Sequence, residues 1–148
     1  QDIVSLQLSF ATGQDLNHLV SHNFEYSGHA LECRLYAEKP EKNFLPSPGT
    51  LTRFRFPAET RQLRIDTGFR EGDTITPFYD PMIAKIIVVG ENRDQAIEKM
   101  ATALEKTQVM GISTNIEFLK NILSNTDFQT GNINTNFIDI HRQFLINS

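Results

Sequence analysis

Between residues 28 and 40 the chain reads GHALECRLYAEKP, and charged and apolar positions alternate along it. Leu31, Cys33, Leu35 and Ala37 fall on one side, Glu32, Arg34, Tyr36 and Glu38 on the other. This period of two predicts a half-buried strand over 29–38. Residues 82–90, MIAKIIVVG, form a short unbroken apolar run that stops at a glycine, which predicts the most deeply buried strand. TLTRFRFP and RQLRIDTG read as two short strands joined by a turn at PAET. REGDTITPFYDP reads as a loop or an edge strand, because Pro77 and Pro81 bring no amide donor to a ladder.

Elsewhere the apolar spacing is helical. Ile3, Leu6 and Phe10, followed by Gly13, predict a helix over 2–11. The segment NRDQAIEKMATALEKTQV is the clearest helix in the chain. Asn92 stands at its N-cap position, Asp94 favours its positive end, and Lys106 lies near the other end. Ala96, Ile97, Met100, Ala101 and Leu104 form its apolar face. Two more helices are expected at 115–123 and 136–145, separated by a polar bend. In KPEKNFLPSPGTL, prolines and a glycine make a stiff connector, with Phe44 and Leu45 expected to plug into the core. The pattern as a whole predicts an α+β fold, a small antiparallel β-sheet packed against several helices.

Composition narrows the function classes. The 148 residues suit one domain, 39% hydrophobic and 22% charged, as in a folded globular chain. A net charge of −4 gives no general pull toward nucleic acid or anionic membrane. No apolar run approaches the ~20 residues that span a bilayer, and no signal-peptide pattern opens the chain. Cys33 is the only cysteine, so no internal disulfide and no cysteine zinc cage can form. It stands on the apolar side of its strand, where a free thiol behaves as a small hydrophobe. A reducing compartment follows, most simply the cytoplasm. The chain begins within a helix and without a methionine, which reads as an excised fragment.

Candidate chemistry is sparse. Arg53 to Arg70 carries a local excess of three positive charges, with Phe54 and Phe56 interleaved. In a strand, however, the two arginines take one face and the two aromatics the other, so the phenyl rings belong to the core rather than to a base-stacking platform. His18 and His22 have metal-binding spacing if helical, but HLVSHN reads as loop and no third ligand lies close. No nucleophile motif or phosphate-cradling glycine loop occurs. MGISTN reads as a helix-initiating turn with Ser113 or Thr114 near the cap. Glu32 and Arg34, ~7 Å apart on one strand face, are either a solvated ion pair or an anion site in which the carboxylate aims the guanidinium.

Four segments in order, GHALECRLYAEKP, FLPSPGTLT, YDPMIAKIIVVGENRDQAIEKM and GISTNIEFL, resemble the C-terminal domain of biotin carboxylase. The resemblance covers almost the whole chain. It implies residues 1–20 as helix and connector from a preceding ATP-grasp domain and 21–148 as the C-terminal domain. It further implies that ATP drives bicarbonate to carboxyphosphate, which delivers CO2 to N1 of biotin on a carrier protein. Biotin, ATP and Mg would serve the full-length enzyme, with no metal ligands expected here. Because the family's Glu-Asn-Arg run is missing, the fragment alone is expected to be inactive. Arg34 occupies the family's E-x-R position, which implies contact with bicarbonate and the ureido oxygen of biotin. Glu32 as its orienting partner is read from strand geometry. NTNF resembles the stretch that touches adenine, which implies Phe137. Tyr79, Asp80 and Lys85 look like family markers with a packing role at least as expected as a catalytic one. The implied partners are the ATP-grasp domain, a biotin carboxyl carrier domain and a carboxyltransferase subunit, in an oligomer. The wording of the motifs leans toward methylcrotonyl-CoA or propionyl-CoA carboxylase α subunits. The alternative is a non-catalytic docking or oligomerisation module built on the arginines of 53–70 and YDPMIAK.

Overall fold

The computed structural model describes residues 2–17 and 27–147. The His18 and His22 pair lies outside them. Helix α1 (Ile3–Ala11) precedes strand β1 (His29–Tyr36) and the short β2 (Glu38–Lys39), a single 3-10 turn at Pro40–Lys42, then β3 (Leu45–Pro46), β4 (Gly49–Thr50) and β5 (Arg53–Arg55). Next come β6 (Leu63–Asp66), β7 (Thr74–Ile75), β8 (Met82–Gly90), α2 (Arg93–Lys106) and β9 (Gln108–Met110). Helices α3 (Ile116–Ser124), α4 (Thr126–Thr130) and α5 (Phe137–Asn147) follow.

The central sheet is antiparallel with order β1-β8-β6, and three two-stranded ribbons, β2-β3, β4-β7 and β5-β9, extend around it. The apolar run of β8 lies between two partners. Helix α2 covers it, bringing Met100 and Leu104 against Ile86 and Val88 in one core cluster. Fully burying a side chain such as Met100 contributes about 1.5–3 kcal/mol, so this layer outweighs any surface ion pair. A second cluster, with Leu35, Leu51, Phe54 and Ile83 at its centre, sits under the ribbons. A third joins Phe118, Phe137 and Leu145 from α3 and α5.

Helix α2 starts where its cap is written: Asn92 accepts from the Gln95 amide at 3.0 Å. It stops at Lys106, earlier than the apolar spacing predicts. Thr107 turns extended and donates its buried hydroxyl to the Ala103 carbonyl at 2.8 Å, freeing the next residues to pair with β5 as β9. Helix α4 replaces part of the expected polar bend. Asn125 caps its amides, and Arg93 donates from α2 to the Phe128 and Gln129 carbonyls at its far end. In the connector, Phe44 does plug in, edge-on to Phe118 at 5.1 Å. Leu45 does not; it is exposed in the β2-β3 ribbon. Helix α1, capped by Asp2, has no buried residue, and Ile3 and Phe10 stand in the open.

Candidate active site

Strand β1 carries the site because its alternation holds in three dimensions. Leu35 is fully buried, while Glu32 and Arg34 face outward. Arg34 Nε donates to Glu32 Oε1 at 3.1 Å, with the two side chains 61% and 40% exposed. At that exposure the pair adds little to stability; its consequence is direction. The Glu32 hydrogen bond is the main influence, followed by one to Tyr36, and together they hold the guanidinium above the usual arginine range. With Nε on Glu32 and one N–H directed to Tyr36, the remaining Nη N–H groups can meet a planar anion. Tyr36 was legible as a neighbour on the same strand face, two residues on, but nothing in the sequence marked it as a partner of Arg34.

A cavity of about 370 Å³ opens beside this pair, with Glu32, Arg34 and Tyr36 on one side and Phe118, Ile122 and Ile138 on the other. Glu38 also lines it, its carboxyl raised by burial first and by Asp80 second. Phe137 is elsewhere. Only 8% exposed, it packs with Phe118 and Leu145 and lies 4.7 Å from the His141 ring. The cavity is lined instead by Ile138, the residue after NTNF and one position along α5, and a one-residue step on a helix changes the face presented.

Most of the remaining sequence candidates have structural partners. Arg34 lies opposite Lys85 across the β1-β8 pair, but the Lys85 ammonium pairs with Asp66 at 3.3 Å, and Asp66 also accepts from Arg64 at 2.7 Å. Arg64 first, then Lys85, keeps the Asp66 carboxyl below its usual range despite opposing desolvation. Asp80 accepts from the Met82 amide at 2.8 Å where β8 begins, and Tyr79 is exposed in the preceding loop. In the basic stretch, Arg53 donates to Gln108 at 3.0 Å and Arg55 lies 3.6 Å from Glu71. Phe54 is buried and stacks edge-on with Phe56 at 4.9 Å, so it is not available to stack on bases.

Burial, with Glu32 as a second cause, pushes the Cys33 thiol from 9.0 up to about 12. Folding therefore favours the protonated thiol, and its contribution to stability falls as pH rises from about 9 toward 12. Iodoacetamide at pH 8 is expected to leave the native thiol unlabelled and to label the urea-unfolded chain. Rapid labelling of native protein would contradict this burial.

The family model for the biotin carboxylase C-terminal domain matches residues 32–140. This chain belongs to that family. The methylcrotonoyl-CoA carboxylase subunit alpha, mitochondrial, of Dictyostelium discoideum is 39% identical over 146 residues, covering 99% of this chain and 21% of that protein. Biotin carboxylase 2 of Bacillus subtilis is 43% identical over 140 residues, covering 95% and 31%. Among solved structures, the biotin carboxylase domain dimer of Hydrogenobacter thermophilus 2-oxoglutarate carboxylase, in complex with MgADP, ADP and bicarbonate, matches with a TM-score of 0.89 at 34% identity. The match covers 98% of this chain and 32% of that one. The chain thus spans about a fifth to a third of the length of these biotin carboxylase relatives. Its α+β architecture, small antiparallel sheet with helices against it, is that of the family's C-terminal domain. Among the described residues, no helix is long and apolar enough to cross a membrane.

Proposed function

We propose that this chain supplies the C-terminal wall of a biotin carboxylase site, which carboxylates biotin on a carrier domain at the expense of ATP and bicarbonate. The observation that carries the reading is Arg34, bonded through Nε to Glu32 beside a cavity that both residues line, with its Nη groups unspent on the carboxylate. In a relative whose solved domain holds bicarbonate and MgADP, such a guanidinium has evident work. Arg34 would bind the bicarbonate oxygens by paired N–H donation. It would then stabilise the negative charge that develops on the ureido oxygen when biotin N1 loses its proton. A fixed donor of this kind acts most strongly where charge appears, so it favours the transition state over the ground state. Glu32 keeps the guanidinium from swinging to solvent.

Phe137 is the residue that the resemblance assigns to the nucleotide base; its neighbour Ile138, the position after NTNF, lines the cavity with an apolar edge. The magnesium ligands are assigned to the preceding ATP-grasp portion on the resemblance to the family. Residues 1–20 are read as the link to that portion, in keeping with the unburied apolar side chains of α1. The methylcrotonoyl-CoA carboxylase relatives favour an acyl-CoA carboxylase α subunit, working with a carrier domain and a carboxyltransferase in an oligomer. The compartment would be the mitochondrial matrix in a eukaryote and the cytoplasm in a bacterium.

The test is phosphate release by the full-length protein. It is expected to depend on bicarbonate and to be stimulated by free biotin. ATP hydrolysis indifferent to both would overturn the assignment.

A further inference from the structure

Among the described residues, the strand that carries Arg34 is an edge strand: β1 has β8 on one side only. Its pairing also becomes irregular where it matters, with Leu35 opposite Ala84 but Tyr36 opposite Met82, so that Ile83 is skipped. A bulge of this kind bends a strand and re-aims its side chains. Left alone, the 34–36 segment would have one irregular ladder on one edge and none on the other.

Asn115 fills the missing edge. Its side-chain Oδ1 accepts from the Tyr36 amide at 2.9 Å, and its Nδ2 donates to the Arg34 carbonyl at 3.1 Å. Its own backbone amide donates to the Tyr36 carbonyl at 3.3 Å. One residue thereby imitates a strand neighbour for both residues that flank Leu35. Asn115 also occupies the N-cap position of α3, where an asparagine would ordinarily bond the helix amides. It makes no such bond. The side chain is turned to β1 instead and is only 4% exposed. Burying an amide is tolerable only when its polar atoms are matched, and here they are matched to the backbone that bears the active-site arginine.

We infer that Asn115 is a positioning residue for the biotin carboxylase reaction, holding the backbone of Arg34 and Tyr36 so that the guanidinium faces bicarbonate. This rests on the reading of Arg34 given above. Because it acts through Arg34, its loss should matter for bicarbonate and not for ATP, and should not matter once Arg34 is gone.

The experiment uses the full-length enzyme and four variants: Asn115→Ala, Asn115→Asp, Arg34→Ala and the double variant Asn115→Ala with Arg34→Ala. Asn115→Asp keeps the acceptor for the Tyr36 amide and the side-chain volume but loses the donor to Arg34. A misplaced reacting group can cost up to about 100-fold. The expected result is a fall of about 10- to 100-fold in kcat/KM for bicarbonate with KM for ATP unchanged, and a smaller fall for Asn115→Asp. The double variant is expected to be no worse than Arg34→Ala alone, the non-additivity of residues that act as a unit. Multiplicative losses in the double variant, or a KM for ATP that rises along with that for bicarbonate, would overturn the inference. So would failure of both Asn115 variants to fold, which would assign the residue to stability. If Arg34→Ala itself is fully active, the reading of the site fails; if it is impaired while the Asn115 variants are normal, only this inference fails.

Discussion

Arg34→Ala in the full-length protein is expected to lower bicarbonate- and biotin-dependent ATP hydrolysis by about 10²–10³-fold, the usual effect of removing one fixed donor from a developing oxyanion. The thermal midpoint is expected to stay where it was. The side chain is 61% exposed and its partner Glu32 40%, so no core contact is lost and no buried charge is stranded. Arg34→Lys is expected to recover little, because an ammonium has no planar fork with which to satisfy Glu32 and an anion together. Glu32→Gln should be milder, since an amide oxygen can still accept from Nε. Steady-state phosphate release checks all three. Full activity in Arg34→Ala would remove the mechanism while leaving the family membership intact.

Gly111→Ala is expected to destabilise the domain by about 3–5 kcal/mol, the sum of left-handed strain and overpacking. Gly111 has φ of +99°, where side chains with a Cβ are strained. A Cβ placed there would lie 2.0 Å from the Thr50 carbonyl oxygen and 3.1 Å from the Thr52 amide. Both obstacles are backbone, so neither can rotate away. The Thr52 amide also donates to the Met110 carbonyl at 2.9 Å, and a displaced strand would forfeit that bond. Domains of this kind are stable by only about 5–15 kcal/mol, so the loss is a large fraction of the whole. The urea midpoint is the measurement, and a change below about 1 kcal/mol would show that the close approach relaxes freely. The effect should reach the site as well, because Gly111 begins the turn that delivers Asn115 to β1.

What the sequence disclosed was local. The period of two in β1 and the apolar run of β8 are each written within one segment, and they reappear with the same inward and outward residues. The cap of α2 is likewise a matter of neighbours. What stayed hidden depends on distant partners. Residues 108–109 looked like the tail of α2 until β5, some fifty residues earlier, claimed them as β9. Helix α4 is too short to hold itself and is braced by Arg93 from α2. Ser113 or Thr114 looked like the cap of α3, but the N-cap is Asn115, and it bonds a strand instead of its helix. Phe137 and Ile138 differ by one step around α5, and only the packing of that helix decides which enters the core and which the cavity. Around the candidate site, Arg34 and Glu32 were legible because they share a strand; Ile138, which lines the cavity, and Asn115, which bonds the β1 backbone, were not, because nothing local singles them out.

The clamp on β1 joins residues 79 and 81 positions apart along the chain. Contacts of such long reach form late, after the intervening loop has been closed. During synthesis, which proceeds from the N-terminus, the arginine emerges long before the asparagine that steadies its backbone. A ribosome that halts ahead of residue 115 would release a polypeptide that contains the arginine but has no means of aiming it.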